Sequence, residues 1–600
     1  MSTAILAGSP VPGSSIEADL RALGFEVRTV AGAAEAERAM ARTPCEERVA
    51  LVDARFVGHL HALRLALTDP RFPLAAVPGV VVARADARAT LTRALARETS
   101  AGGRTATAVD SLADRVVTAL DAEGAAVHRP ALGSLVAVVP RDPQARSEAR
   151  EAVAAVDEEA VRLRSSVKSG DGFFTTFFIS PYSRYLARWC ARRGLTPNQV
   201  TTASLLTALI AAGCAATGTR TGFVAAGALL IVSFVLDCTD GQLARYALKY
   251  STLGAWLDAT FDRAKEYAYY AGLALGAARG GDDVWGLALA AMAVQTVRHM
   301  VDFAYHEAED DVAPPATGPV KKVGLSVWVR RMIILPIGER WAMIAVLTAA
   351  ATPRITFYAL LIGCGLAALY TTAGRVLRSL RRRTPNTERS ARALADMADN
   401  GALVEALHPV ARRIGVRDHG TLARVGTVAG TAAPLLLAVA LAGYGSGWAV
   451  LFAALHVLAS ATVTARPLTG PLDWLIVPLF RTAEYATVLL LAARAEVNGA
   501  LPAAFGLVAA VAYHHYDTVY RIRGGAGAPP AWLVRATGGQ EGRTLLACVL
   551  AALLTGEPFT LALTALAVAV ALLVLVESIR FWVAAHKAGA PAVHDEGESA

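Results

Sequence analysis

Beyond residue 197 the chain alternates between long apolar runs and short polar or basic breaks. Six runs fall at roughly 198–217, 221–243, 255–278, 284–305, 341–353 and 355–377. Most approach the about 20 residues that an α-helix needs to cross a bilayer core. The fifth is short, and the TPR triplet at 352–354 marks a tight turn into the sixth. A polar stretch over 381–420 reads as a linker. Six more runs follow, at about 422–443, 447–464, 473–494, 501–520, 543–556 and 558–582. The periodicity therefore predicts a polytopic all-α membrane region in two blocks, 168–380 and 421–584, with a disordered tail over 585–600.

Residues 1–160 follow another rule. Short apolar segments at 3–9, 26–30, 48–54, 79–85 and 134–140 read as buried strands, several of them separated by Ala- and Arg-rich helical stretches. That alternation predicts an α/β domain. One polar helix over 146–170 leads out of it. An aromatic- and arginine-rich segment, 172–194, then reads as lying in the membrane interface.

Composition narrows the class. Hydrophobic residues make up 54% of the chain and charged residues 18%, too apolar for an ordinary soluble enzyme. The net charge of +8 is gathered into patches such as 184–194, 321–331 and 375–383, each beside an apolar run. Such patches anchor spans on an anionic leaflet and argue against a nucleic-acid footprint. Six spans return the chain to its starting side and collect these basic loops there. No secretory leader pattern opens the sequence. The expectation is a multi-pass protein of the cell membrane with the first domain in the cytoplasm. Six cysteines, none with paired spacing, predict neither disulfides nor a zinc site.

The two blocks share text. DRAKEYAYYAGLAL (262–275) aligns with FRTAEYATVLLLAA (480–493), matching Arg263 to Arg481, Glu266 to Glu484 and Tyr267 to Tyr485. TVRHMVDFAY (296–305) aligns with VAYHHYDTVY (511–520), matching His299 to His514 and Asp302 to Asp517. Two matches in one order predict an internal duplication. Phe480 and Ile476 stand where Asp262 and Asp258 stand, so the second bundle of six helices is expected to be degenerate and inactive.

Those aspartates are the candidate chemistry. Asp237 and Asp240 are three apart, Asp258 and Asp262 four apart, and each pair projects from one helix face. An ionised carboxylate inside a membrane helix costs roughly 2.5–3.5 kcal/mol, so four uncompensated ones would cost on the order of 10 kcal/mol. Hard divalent cations, Mg²⁺ or Mn²⁺, would offset that cost and clamp phosphate oxygens in an in-line displacement. A two-metal site near the cytoplasmic surface is expected. Gly241, Ala244 and Gly254 are small enough to let a ligand reach the backbone.

The residues fit D-x2-D-G-x2-A-R-x8-G-x3-D-x3-D from Asp237 to Asp262 without a mismatch. This resembles the signature of the CDP-alcohol phosphatidyltransferase family, and the resemblance covers roughly 168–380. It implies a six-helix bundle that transfers a phosphatidyl or phospho-alcohol group from a CDP-linked donor to an alcohol, releasing CMP. It implies that Asp237, Asp240 and Asp258 ligate metal, and that Asp262 is the general base and also touches metal. It also implies that Gly241, Ala244, Gly254, Pro197, Asn198 and Thr201 line the nucleotide pocket. Arg245 corresponds to a phosphate contact. Arg184, Arg188, Lys321, Lys322, Arg330 and Arg331 are candidates for a basic acceptor pocket, with Arg184 the one singled out; solvated snorkelling is the alternative for the rest. His299 and Asp302 either support the site or pack helices.

The layout around KSGDGFF (168–174) and SRYLARW (183–189) is similar to bifunctional inositol-phosphate cytidylyltransferase/di-myo-inositol-phosphate phosphate synthases. That resemblance makes the front domain nucleotidyltransferase-like, but AILAGSPVPGSSIEADL has no basic residue before Arg21 to hold a triphosphate, so it reads as degenerate. CDP-diacylglycerol or CDP-inositol as donor, a polyol phosphate such as inositol phosphate as acceptor, membrane lipid, and pairing as a homodimer are what the resemblance implies. The alternative is a catalytically silent scaffold or transporter.

Overall fold

The computed structural model describes residues 2–9, 11–100, 111–168, 170–309, 325–381, 385–413 and 420–587. The front domain is built on strands β1 (Ser2–Ala7), β2 (Phe25–Val30), β3 (Arg48–Asp53), β4 (Val57–Gly58), β5 (Leu74–Val77), β6 (Val80–Ala83) and β7 (Ala137–Val138). Five form one sheet in the order β2-β1-β3-β6-β5. β1 runs parallel to β2 and β3, whereas β6 is antiparallel to β3 and β5. Helices cover both faces. Ala4, Leu6, Ala50 and Val52 are buried on one side, Ile5, Val49, Leu51 and Val81 on the other, which is why these strands read as continuous apolar runs.

Two strand expectations change. The segment expected at 134–140 contributes only the two residues of β7, which pair with β4 outside the main sheet. β5 was not expected; it joins β6 through Pro78 and Gly79, and Gly79 has the positive φ (+76°) that a two-residue hairpin turn requires. The single helix expected over 146–170 is two, Pro143–Ala154 and Glu158–Ser165. The break has a local cause: the Asp157 side chain accepts from Ala160 N–H at 3.1 Å and caps the second helix.

The membrane region comprises α1 (Ser180–Arg192), α2 (Pro197–Ala216), α3 (Arg220–Ala247), α4 (Thr252–Arg279), α5 (Trp285–Glu309), α6 (Ile337–Ala350) and α7 (Pro353–Arg381), then α8 (Thr421–Leu441), α9 (Gly447–Thr464), α10 (Ile476–Arg494), α11 (Ala500–Arg523), α12 (Gly539–Leu553) and α13 (Glu557–Lys587). Each expected run is thus a helix. Among the described residues, seven helices are long and apolar enough to cross a membrane: α2, α3, α7, α8, α9, α10 with its preceding turn, and α13. The protein is a multi-pass membrane protein. α6 and α12 are short, and α4 carries Asp258, Asp262, Arg263, Lys265 and Glu266. In the segment 172–194, Phe177, Phe178, Tyr182, Tyr185 and Trp189 are exposed.

α2 packs on α3 and α4, α3 on α6, and α5 on α7. Close approach of α2 and α4 depends on Gly272 and Gly276, because the carbonyl oxygens of Ala212 and Ala215 stand where a Cβ would go. In the second block α8 packs on α9 and α10, α9 on α12, and α11 on α13; the blocks meet where α5 touches α10 and α11, and α4 touches α13. The stretch expected as a polar linker contains two helices, Glu388–Met397 and Ala402–Arg413. Ala391, Leu394 and Met397 fall on one face of the first and are buried, so it belongs to the packed body.

Two of the matched pairs, Arg263 with Arg481 and Glu266 with Glu484, make like contacts. Arg263 lies 3.2 Å from Glu266, and Arg481 lies 3.2 Å from Glu484. Glu266 also meets Arg340 of α6 at 3.5 Å, and Glu484 meets Arg543 of α12 at 2.6 Å. Glu339 accepts from Phe174 N–H at 3.2 Å just before α1, as Glu541 accepts from Gly401 N–H at 2.9 Å at the head of the Ala402–Arg413 helix. Asp302 pairs with Arg375 of α7, while Asp517 accepts from Ser578 (2.8 Å) and Trp582 (2.7 Å) of α13.

Candidate active site

α3 ends where Leu248 turns into the left-handed region (φ +51°), and three residues later Ser251 starts α4 by accepting from Gly254 N–H at 3.0 Å. This short reversal lays the last turns of α3 beside the first turns of α4. One oxygen each from Asp237, Asp240 and Asp258 then lies within 4.8 Å of the others. Asp240 is 4% exposed, and its Oδ2 has no hydrogen-bond partner among the described residues. A buried carboxylate oxygen left unpaired beside two more carboxylates fits a hard divalent cation, which takes oxygen ligands. These are the residues that would hold such an ion.

Asp262 is placed differently. Its Oδ1 lies 2.8 Å from the ammonium of Lys265, which also contacts Asp237 Oδ1 and donates to Ser204 Oγ at 3.3 Å. Lys265 is 1% exposed, with the Trp341 ring 5.8 Å from its nitrogen. The sequence reading passed over this lysine. A signal was there: it follows Asp262 by three and Asp258 by seven, so it shares their helix face.

The aspartates open into a cavity of about 810 Å³. Pro197, Asn198, Thr201, Gly241, Ala244 and Gly254 all line it, as expected. Gly254 is tight, since an added Cβ would lie 2.7 Å from Asn198 Oδ1. Arg245 lines the cavity too, with its Nε donating to Ser166 O at 2.5 Å. Arg184 lies outside the lining, its guanidinium 5.1 Å from the Tyr185 ring on α1. Arg188 faces Glu159 at 3.9 Å, and Arg331 donates to Asp171 O at 3.1 Å. Lys321, Lys322 and the side chain of Arg330 lie outside the described residues.

Three lining residues come from the second block: Tyr520 and Arg523 of α11 and Trp582 of α13. Trp582 stacks on Trp256 of α4 at 6.3 Å. Behind the aspartates, His299 Nδ1 lies 3.2 Å from Arg263 Nη1 and 2.6 Å from Tyr516 Oη. The supposedly spare block thus forms part of the wall.

The front domain docks at the same end of the bundle. Arg162 donates to Tyr246 O at 2.9 Å and covers its ring at 3.7 Å, Glu159 accepts from Tyr246 Oη at 2.9 Å, and Arg71 covers Tyr250 at 4.0 Å.

Residues 388–600 match a family of unknown function, DUF5941. Among curated proteins, a phosphatidylinositol phosphate synthase of Streptomyces avermitilis is 38% identical over 111 residues, 18% of this chain and 43% of that protein. A phosphatidylinositol phosphate synthase of Mycolicibacterium smegmatis is 34% identical over 157 residues, 26% of this chain and 66% of that protein. A bifunctional IPC transferase and DIPP synthase of Aquifex aeolicus is 30% identical over 114 residues, 19% of this chain and 26% of that protein. The chain therefore spans less than two thirds of each of these relatives. The eight signature positions, the three carboxylates brought to one point and the family match over 194–355 agree, and that segment belongs to the CDP-alcohol phosphatidyltransferase family.

Proposed function

We propose that the whole protein is a membrane CDP-alcohol phosphotransferase whose site opens to the cytoplasm. It moves a phosphatidyl or phospho-alcohol group from CDP-diacylglycerol or CDP-inositol to a polyol acceptor such as inositol phosphate. The observation that carries this reading is the convergence of Asp237, Asp240 and Asp258 at the mouth of a cavity large enough for a nucleotide diphosphate.

A divalent ion, Mg²⁺ or Mn²⁺, supplies charge neutralisation on the diphosphate when bound. The protein does the rest by positioning. Pro197, Asn198 and Thr201 at the head of α2, with Gly241, Ala244 and Gly254, form the nucleotide end, where small residues admit the ligand to the backbone. Arg245 faces the donor phosphates. Arg298, Arg375 and Arg523 line the cavity and suit an anionic acceptor. Asp262 takes the acceptor hydroxyl proton; the freed oxygen bonds to phosphorus as the bond to CMP breaks, and CMP leaves with that electron pair. The Lys265 ammonium, 2.8 Å from Asp262 Oδ1, holds that carboxylate in place.

The second block is read as a duplicated, inactive bundle that takes the place a second copy would fill at the α4–α5 face. The paired Arg–Glu contacts of α4 with α6 and of α10 with α12 support that reading. The front domain is read as a degenerate nucleotidyltransferase-like domain: a mixed α/β sheet whose β1 runs into Gly8 and Gly13, both with positive φ. Its loop is met from elsewhere by a basic residue, Arg150, which donates to Gly13 O at 2.7 Å.

The test is CMP release from the lipid-reconstituted full chain with Mg²⁺ or Mn²⁺. CDP-diacylglycerol and CDP-inositol are supplied separately, each with and without inositol phosphate. Metal-dependent release with one donor supports the reading and selects the substrate. Silence with every CDP-alcohol offered refutes it in favour of a scaffold or transporter.

A further inference from the structure

We infer that Lys265 takes the place of one of the two cations that four carboxylates would otherwise hold, leaving a single divalent-ion site at Asp237, Asp240 and Asp258. The inference rests on reading those aspartates as metal ligands. A lysine ammonium has three N–H donors and no acceptor. Here it donates to Asp237 Oδ1 and to Ser204 Oγ (3.3 Å) and lies 2.8 Å from Asp262 Oδ1 as an ion pair, on a side chain 1% exposed. A second ion between Asp237 and Asp262 would have to share the carboxylate oxygens that face the ammonium, and would meet a like charge close by.

Withdrawal of the lysine is opposed on every side. Its partners come from three helices, Ser204 on α2, Asp237 on α3 and Asp262 on α4 itself, and the Trp341 ring of α6 closes the fourth side. Moving the ammonium off these partners would leave a buried cation unpaired, which is costly. The charge balance agrees. Four aspartates carry four negative charges; Lys265 and one divalent ion return three, whereas two ions with Lys265 would leave the site positive before any substrate arrives. Among the described residues neither Asp240 nor Asp258 pairs with the ammonium, so the single ion lies on their side of the cluster. Lys265 is then a positioning residue that holds Asp237 and Asp262 together across α3 and α4.

Mn²⁺ binding to the full chain in lipid nanodiscs tests this, by equilibrium dialysis and electron paramagnetic resonance. Only sites lost in Asp240→Asn are counted. The expected result is one Mn²⁺ per chain with the spectrum of an isolated ion. Lys265→Met, of similar length without charge, is expected to admit a second ion and give a spin-coupled spectrum; Lys265→Arg is expected to keep one. Two coupled ions in the unaltered protein would overturn the inference while leaving the metal reading intact. No Mn²⁺ at all would overturn the metal reading and the inference with it. One ion in Lys265→Met, in protein that retains its thermal transition, would overturn the exclusion. If that variant does not fold, the count in the unaltered protein decides alone.

Discussion

Trp582 offers the sharpest test of whether the second block holds the site together. It is 4% exposed, stacks on Trp256 of α4 at 6.3 Å, donates from Nε1 to Asp517 at 2.7 Å, and lines the cavity that holds the aspartates. Truncating a buried Trp to Ala removes transfer free energy and leaves a cavity, together about 3–5 kcal/mol. The low end applies here. Asp517 is not stranded by the loss, because it still accepts from Ser578 at 2.8 Å and pairs with Arg521 at 2.8 Å. A cost of about 3 kcal/mol is a shift of roughly a hundredfold in the folded-to-unfolded ratio. Much of it falls on the first turns of α4, where Trp256 sits two residues before Asp258. Trp582→Ala is therefore expected to lower the thermal midpoint and also to weaken Mn²⁺ binding, read by dialysis in nanodiscs. Trp582→Phe keeps one aromatic ring and loses the N–H donor and the pyrrole ring, so it is expected to cost less than Trp582→Ala and leave ion affinity unchanged. A Trp582→Ala protein with unaltered ion affinity would refute the claim that α13 supports the site.

Asp262→Asn is expected to cut CMP release by about 10²–10⁴-fold, the usual worth of a general base, while keeping the Mn²⁺ count; normal turnover would defeat the base assignment. Gly276→Leu forces α4 away from the Ala215 carbonyl and is expected to cost about 1–3 kcal/mol by overpacking; an unchanged thermal midpoint would show that the close approach is dispensable. In the front domain, burial lowers the His61 pKa from its usual 6.5 to about 4, with Arg162 and Arg64 acting in the same direction. The folded state thus keeps His61 neutral while the unfolded chain gains a proton below pH 6.5. Its contribution, about 3 kcal/mol, is present above pH 6.5 and lost as pH falls towards 4. Amide protection factors over 48–83, corrected for the intrinsic exchange rate at each pH, are expected to fall between pH 7 and 5, and His61→Gln should flatten that dependence; equal slopes in both proteins would contradict it.

Much of this protein is written in local pattern. The apolar runs became helices α2 to α13 because a period of 3.6 and a length near 20 residues are properties of contiguous sequence, read without knowing any neighbour. The same holds for Asp237, Asp240, Asp258 and Asp262: spacings of three and four on two helices joined by a short turn bring them to one end of the bundle. Partners across helices are another matter. Lys265 meets Asp237 and Ser204, 28 and 61 positions away, only because α2, α3 and α4 rotate those faces toward one another. Trp582, Arg523 and Tyr520 reach the cavity because the blocks pack α4 against α13 and α5 against α11, and no local signal records that choice. The polar stretch before α8 likewise reads as a linker until α5 supplies the surface against which Leu394 and Met397 are buried. Sequence alone determined which residues could carry the chemistry, since type and spacing are local. Tertiary packing decided which of them stand free for an ion and which are already paired, since that depends on the relative rotation of helices far apart in the chain.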